Sequence, residues 1–154
     1  MGKIRTAVAD DDDEMRSAII DVLESTGQFE VVCALAAGTG LPEVVVDTGA
    51  QLVILDVRMP DGGAEATRRL RALASPPVVV AVSAQTDVAT VSDLLRAGAS
   101  AYLAKGDLGD HFVDDLVRCV RGQVVVAVPH ALDALRQALG VTPAFQPMDV
   151  ALQG

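Results

Sequence analysis

The chain alternates five short apolar runs with longer segments of helical periodicity, and this alternation restricts the possible folds more than any other feature. The runs lie roughly 25 residues apart, are too short for buried helices and are mostly rich in Val or Ile, so each predicts a β-strand. They are residues 4–9, 29–35, 52–55, 78–82 and 101–104. Apolar strands separated by helices are typical of a parallel sheet with helices on both faces. We therefore predict an α/β, doubly wound, five-stranded parallel sheet.

Three of the intervening segments have the apolar spacing of an amphipathic helix. Each ends near a glycine, Gly27, Gly98 or Gly122, which is the residue type that most often follows a helix. Two further helices, over 41–46 and 64–73, are predicted from their place in the alternation, because the first is β-branched and the second is rich in arginine.

The predicted sheet domain covers residues 1–122, and residues 123–154 form a C-terminal linker segment. Within that segment, 129–139 has leucines at helical spacing followed by Gly140, which predicts one amphipathic helix. Residues 141–154 have the composition of a linker. A chain of 154 residues can form one ordinary domain, but the part after residue 122 is too short for a second core.

Composition excludes several classes of function. The chain has 12 basic and 21 acidic residues, a net charge of -9, which would repel a nucleic-acid backbone. No apolar run approaches the roughly 20 residues of a membrane helix, and the start lacks a signal peptide, so we expect a cytoplasmic protein with no membrane partner. Cys33 and Cys119 lie among apolar residues and are predicted to be reduced packing cysteines.

Polar residues follow four of the predicted strands. The first is followed by the acidic run 10–14, the third by Asp56, the fourth by Ser83 and the fifth by Lys105. Taken singly, each has an ordinary explanation: helix capping by Asp12 to Glu14, a turn at Asp56, a cap at Ser83, a solvated lysine. The carboxyl ends of parallel strands meet at one edge of the sheet, however, and the joint occurrence favours a functional site there.

The chemistry of this set is specific. Asp10, Asp11 and Asp56 would place three negative charges within a few Å, which is costly unless a cation lies among them. Oxygen ligands of this kind suit Mg2+. Asp56 could then accept a phosphoryl group as an acyl phosphate, while Lys105 and the Ser83 hydroxyl contact the phosphoryl oxygens.

The same residues resemble a known family, the receiver domain of two-component response regulators. The matching motifs are VADDDDEMR, which contains Asp10 and Asp11, LDVRMPDGG around Asp56, AVSA around Ser83 and GASAYLAKG ending at Lys105. They extend over residues 4–122. The resemblance implies a flavodoxin-like sheet with the strand order 2-1-3-4-5.

The resemblance also implies roles for single residues. Asp56 would accept a phosphoryl group from a histidine of a sensor histidine kinase, and Lys105 would pair with its oxygens. Mg2+ would be bound directly by Asp11 and Asp56 and by the backbone carbonyl of Arg58, and largely through water by Asp10. Such a domain is a switch rather than an enzyme, although it can catalyse its own phosphorylation and dephosphorylation.

The expected switch residues are Ser83 and Tyr102. Ser83 would swing towards the phosphoryl group, and Tyr102 would turn inward behind it, shifting the population of conformations. The alternative for Tyr102 is a half-buried aromatic side chain on an edge strand. Arg58 and Gln85 occupy positions at which the family tunes the lifetime of the phosphoryl group.

Gly106 and Asp107 follow Lys105, as in the NarL/FixJ (LuxR-type) subfamily of bacterial transcription regulators, and VRGQVVVAVPHALDALRQALG resembles that subfamily's exit from the receiver. A helix-turn-helix module would follow there and is absent from this sequence. We therefore expect a receiver fragment of a longer regulator, which would contact DNA only through the missing module, with a stand-alone regulator as the alternative. A homodimer is possible for either.

Two other classes of function stay open. A Mg2+-dependent phosphatase with an aspartyl nucleophile needs two carboxylates two residues apart, a spacing that Asp10 and Asp12 have, but it leaves Asp56 unexplained. A receiver-like interaction module that is never phosphorylated is disfavoured, because the set of acids, hydroxyl and lysine is complete.

Overall fold

A computed structural model describes residues 2–141 of the chain. Its centre is a sheet of six parallel strands in the order β2-β1-β3-β4-β5-β6. The strands are β1 Ile4–Ala9, β2 Phe29–Leu35, β3 Leu52–Asp56, β4 Val78–Ser83, β5 Ala101–Ala104 and β6 Val125–Ala127. The predicted doubly wound parallel fold and the order of its first five strands are confirmed.

Helices connect the strands and cover both faces of the sheet. They are α1 Asp13–Ser25, α2 Leu41–Thr48, α3 Gly63–Arg71, α4 Val88–Ala97, α5 Phe112–Val120 and α6 Ala131–Leu139, with a 3-10 turn at Lys105–Asp107. Pro42 stands in the first turn of α2, where a proline costs no hydrogen bond, so the β-branched segment is helical as predicted. Among the described residues, no helix is long and apolar enough to cross a membrane.

The apolar core has two layers, one on each face of the sheet. Alternate residues of β3 point to opposite faces, so Val53 and Leu55 belong to one layer and Leu52 and Ile54 to the other. The first layer is completed by α2, α3, α4 and α6, and the second by α1 and α5. Both layers are rich in Val and Leu, and burial on both faces explains the near-continuous apolar strands in the sequence.

The sixth strand corrects the prediction of five. β6 pairs with β5 in parallel register, with Val126 opposite Tyr102, and lies in the segment predicted to be linker. The valine run at 124–126 is a β-branched signal, but a strand of three residues is too short to stand out from a linker. The helix predicted within 129–139 corresponds to α6, which packs on α4. The rest of the predicted linker, 142–154, lies outside the described residues.

The loop between β3 and α3 passes very close to Gly38. The backbone N–H of Gly38 donates to the carbonyl of Pro60 at 2.8 Å, and a Cβ added to Gly38 would lie 1.8 Å from the carbonyl oxygen of Asp61. Asp61 itself has a positive φ of 56°. The loop that follows Asp56 is therefore held in place by a contact that only glycine permits.

We predict that Gly38→Ala lowers the free energy of unfolding by at least about 2 kcal/mol, because the backbone of the β3–α3 loop has to move away from the new methyl group. Urea unfolding measures the change. Gly106→Ala is the control, since nothing lies within 4 Å of a Cβ at that position and its φ is not in the left-handed region. Equal stability of the two variants would contradict the assigned contact.

Candidate functional site

Three aspartates lie together at the carboxyl ends of β1 and β3. These strands are neighbours in the sheet, so Asp10, directly after β1, and Asp56, the last residue of β3, are adjacent. Both are buried, with 2% and 3% exposure, whereas Asp11 is exposed. One carboxylate oxygen from each of the three lies within 4.8 Å of the others. The cluster predicted from the sequence is therefore formed, with its exposed member on the solvent side.

Lys105 reaches this cluster from the end of β5, two strands away from β3 in the sheet. It follows β5, and β4 separates β5 from β3, so only a long side chain can cover the distance. Its Nζ lies 3.1 Å from Asp10 Oδ2 and 3.4 Å from Asp56 Oδ2. One ammonium group thus bridges two buried carboxylates, which leaves the three-acid cluster with a net negative charge.

The electrostatics of the pair follow from burial and proximity. Burial raises the pKa of Asp56 to about 6, an effect that the Arg58 backbone N–H opposes and the neighbouring Asp10 carboxyl increases. Burial alone would lower the pKa of Lys105, but the two carboxylates outweigh it and the net shift is upward. At neutral pH the lysine is a cation and Asp56 is an ionised, poorly solvated carboxylate.

The rest of the acidic run has structural contacts. Asp12 is the N-cap of α1, and its Oδ1 accepts the backbone N–H groups of Glu14 and Met15 at 3.0 and 3.2 Å. Asp13 pairs with Arg16 at 2.6 Å. The capping explanation is thus correct for Asp12. An aspartyl phosphatase would need this same residue as its second catalytic carboxylate, so the cap contacts do not favour that alternative.

Arg16 also fixes the loop that presents the acids. Its Nη1 donates to the backbone carbonyl of Asp10 at 2.7 Å, and the Asp12 N–H donates to Asp10 Oδ1 at 2.9 Å. Asp10 is therefore held at both its main chain and its side chain. This arrangement keeps a buried carboxylate in one position next to Lys105.

Ser83 ends β4 and is fully buried. Its Oγ accepts the backbone N–H of Gln85 at 3.0 Å, and the hydroxyl of Tyr102 donates to the Gln85 carbonyl. The loop after β4 is therefore bound to the strand end on one side and to β5 on the other. No hydrogen bond joins Ser83 to Asp56 or Lys105 among the described residues.

Gln85 connects this loop to two further parts of the molecule. Its Oε1 accepts Arg58 Nη1 at 2.9 Å, and its Nε2 donates to Thr90 Oγ1 in the first turn of α4 at 3.3 Å. Arg58 in turn donates its backbone N–H to Asp56 Oδ1 at 3.2 Å. A continuous set of hydrogen bonds thus runs from Asp56 through Arg58 and Gln85 to α4. The sequence indicates these two positions, but not that their side chains meet.

Tyr102 differs from the alternative expectation of a half-buried residue on an edge strand. It is fully buried. The reason is the sixth strand: β6 makes β5 an internal strand, and Tyr102 lies in the core layer that includes Ala134 of α6. Burial raises the pKa of its hydroxyl. The role of Tyr102 as a switch residue stays a prediction.

The two cysteines take no part in the site. Cys33 and Cys119 are both free thiols, Cys119 is buried in the second core layer, and burial raises its pKa to about 11. Burial raises the pKa of Cys33 as well. Both cysteines pack against the apolar core, Cys33 only partly buried, and their reduced state stays a prediction.

Comparison with known proteins agrees with this geometry. The family described as response regulator receiver domain matches residues 6–116 of the chain. The chain is 29% identical over 126 residues to the transcriptional regulatory protein NarL of Mycobacterium tuberculosis, covering 81% of this chain and 58% of that protein. It is also similar to the solved signal receiver domain of NarL from M. tuberculosis, with a TM-score of 0.75 and 27% identity, over 80% of this chain and all of that domain.

A third relative has a different description. The chain is 32% identical over 129 residues to protein-glutamate methylesterase/protein-glutamine glutaminase 3 of Geobacter sulfurreducens, covering 80% of this chain but 35% of that protein. The chain therefore spans little more than half of the NarL relative and about a third of the methylesterase. The similarity therefore covers one region that the NarL relative and the methylesterase have in common.

The raised pKa of Asp56 predicts how stability depends on pH. A carboxyl whose folded-state pKa lies above its unfolded value binds protons more tightly when folded, so the free energy of unfolding falls as pH rises from about 4 to about 6. We expect Asp56→Asn, which removes this titration, to raise the free energy of unfolding at pH 7.5 by about 2 to 3 kcal/mol and at pH 4.5 by only about a third as much.

Urea unfolding at both pH values, in the presence of a chelator, measures this difference. Asp21→Asn is the control, because it removes one charge from an exposed position of α1. A variant at position 56 with the same gain at both pH values, or with none, would contradict the assigned burial cost.

Proposed function

The chain belongs to the response regulator receiver domain family, and we propose that it is a phosphorylation switch in which Asp56 accepts a phosphoryl group from a phosphohistidine of a sensor histidine kinase. The single observation that supports this most strongly is the contact of Lys105 with both buried acids, Asp10 and Asp56, beside exposed Asp11. Neither capping nor surface exposure accounts for a half-buried lysine in contact with two buried carboxylates.

The chemistry follows from the atoms at this edge of the sheet. A carboxylate oxygen of Asp56 attacks the phosphorus atom, the phosphorus–nitrogen bond to the donor imidazole breaks, and the electron pair stays on that nitrogen. Because the pKa of Asp56 is about 6, the carboxylate is ionised at neutral pH and can act as a nucleophile. Lys105 is placed to pair with the phosphoryl oxygens that replace the carboxylate charge.

The donor set fits Mg2+. Two buried carboxylates and one exposed carboxylate outnumber the single lysine, and all ligand atoms offered are oxygens. We propose that Asp11 and Asp56 bind the cation directly with the backbone carbonyl of Arg58, and that Asp10 acts largely through water. When bound, Mg2+ supplies positive charge that compensates the phosphoryl oxygens.

The conformational response is proposed to start at Ser83. Its hydroxyl is held by the Gln85 N–H, and a turn towards a phosphoryl group on Asp56 would release that N–H and loosen the loop after β4. Tyr102 is buried beside this loop, to which its hydroxyl is hydrogen-bonded through the Gln85 carbonyl. The response would then reach α4 through Gln85 and Thr90.

Several wider features of the function are proposals as well. We propose a switch that catalyses only its own phosphorylation and dephosphorylation, in a cytoplasmic regulator of a bacterial two-component system. Control of transcription would need a DNA-binding module such as the NarL-type relatives suggest, because the described domain has a net negative charge. A homodimer stays a prediction.

We predict that the protein gains one phosphoryl group when it is incubated with Mg2+ and a small acyl phosphate, as measured by intact mass. Asp56→Asn should gain none, and Lys105→Gln should react about 100-fold more slowly, because it lacks the charge that pairs with the phosphoryl oxygens. Asp47→Asn, an exposed acid of α2, should react like the wild type. A phosphoryl gain that survives Asp56→Asn, or turnover of a generic phosphate ester, would contradict the proposal.

We also predict that Mg2+ stabilises the fold through the acidic cluster. At a Mg2+ concentration about tenfold above its Kd, binding to the native state adds about 1.4 kcal/mol to the free energy of unfolding. For a domain of this size the thermal midpoint should rise by about 3 to 6 °C.

Thermal unfolding with Mg2+ and with chelator measures this shift. Asp11→Asn should lose most of it, because it removes the exposed ligand without opening the core, whereas Asp47→Asn should keep it. An unchanged midpoint in millimolar Mg2+ would instead favour a module that is never phosphorylated.

A further inference from the structure

The C-terminal cover, which we define as residues 125–139, lies directly over the part of the core that contains Tyr102. β6 pairs with β5 so that Val126 is opposite Tyr102, and α6 packs on α4, where Arg96 Nη2 donates to the Gln137 carbonyl. Ala134 of α6 is 1% exposed and belongs to the same cluster of buried side chains as Tyr102. The burial of Tyr102 is therefore completed by residues outside the first five strands.

The cover has few fully buried side chains. His130, which precedes α6, has a left-handed φ of 57° and provides no side-chain cap to the helix. Of the nine residues of α6, only Ala134 is buried, while Leu132 and Leu139 are 60% and 75% exposed. A helix this short has little stability of its own, so its attachment depends on Ala134, on half-buried side chains and on the Arg96 hydrogen bond.

Helix α4, on which α6 packs, also contains a buried polar group without a partner. Ser92 is fully buried, and its Oγ has no hydrogen bond among the described residues. It lies four residues before Arg96, the residue of α4 that donates to α6, and so on the same side of that helix. A buried hydroxyl without a partner is costly, which makes the packing around α4 less stable.

Tyr102 connects this cover to the candidate site. Its hydroxyl donates to the carbonyl of Gln85, and the N–H of the same residue donates to Ser83 Oγ. Gln85 also contacts Arg58, whose backbone N–H donates to Asp56. A displacement of α6 that frees Tyr102 therefore removes one of the bonds that hold the Ser83 loop.

We propose that residues 125–139 are a detachable cover that keeps Tyr102 buried and thereby positions the loop containing Ser83. Lifting α6 from α4 then alters the phosphoacceptor site from a distance. The first part rests on the packing alone, and the effect on phosphorylation rests on the proposed function. Because the loop has more freedom without Tyr102 in place, phosphoryl transfer to Asp56 should be slower when the cover is lifted.

The test uses Ala134→Glu, which places a charge at the buried contact of α6, and Leu132→Glu, which places the same charge at an exposed position of the same helix. The chain has one tyrosine and no tryptophan, so intrinsic fluorescence and its quenching by acrylamide report on Tyr102 alone. Hydrogen exchange at 131–139 measures the attachment of α6. The rate of phosphoryl gain from a small acyl phosphate measures the site.

In Ala134→Glu we expect α6 amides to exchange at least tenfold faster, Tyr102 to be quenched several-fold more efficiently, and phosphoryl gain to slow about threefold or more, with cooperative unfolding retained. Leu132→Glu should match the wild type in all three. If the α6 amides exchange fast while Tyr102 stays protected from acrylamide, α6 does not keep Tyr102 buried and the proposed cover is overturned. An exposed Tyr102 with an unchanged phosphorylation rate would overturn the link to the site.

A wild-type protein that gains no phosphoryl group would overturn the proposed function and the link, whereas quenching would still decide whether the cover exists. His130→Gly keeps the proposal testable if Ala134→Glu does not fold. Glycine relieves the left-handed strain at an exposed position, so α6 amides should exchange several-fold more slowly than in the wild type. Unchanged exchange of the α6 amides in that variant would show that His130 does not weaken the attachment of α6, which would overturn a detachable cover.

Discussion

The mutual repulsion of carboxylates at the carboxyl ends of β1 and β3 is the constraint on which the rest of the molecule depends. Asp10 and Asp56 are both buried, and Lys105 is the one cation in contact with the pair among the described residues. The strand order brings the two aspartates together, because it makes β1 and β3 neighbours. Two contacts then fix the loop after β1: Asp12 caps helix α1, and Arg16 donates a hydrogen bond to the Asp10 carbonyl. The fold supports a local arrangement that is unfavourable by itself, as is common at functional sites.

Much of the fold and of the site could be predicted from the sequence, because both depend on local patterns. Apolar runs and helical stripes define elements with periods of two and 3.6 residues, and strand ends collect at one edge in any parallel sheet. Asp10, Asp56 and Lys105 directly follow three of the apolar runs, so their positions in the sequence predict that they meet at this edge. Their contact across two strands follows from topology together with the length of the lysine side chain.

The features that could not be predicted depend on contacts between distant parts of the chain. A three-residue strand has no periodicity to detect, and the alanines on the buried side of α6 do not indicate which helix they face. The full burial of Tyr102 follows from those two elements, so the alternative of a half-buried residue on an edge strand was wrong for the same reason. The Arg58–Gln85 contact joins residues 27 positions apart, and its side chains are exposed, so no burial pattern marks it.

The short sixth strand has a consequence for the association of the sheet with other chains. With β6 in place, the free edge on that side is three residues long, and Pro129 shortly after it has no N–H to donate. A neighbouring strand therefore finds few backbone groups to pair with. The next strand inward, β5, has only four residues, so this side of the sheet presents few free backbone groups whether or not β6 is paired. Strand addition at this edge is therefore disfavoured by the lengths of both strands.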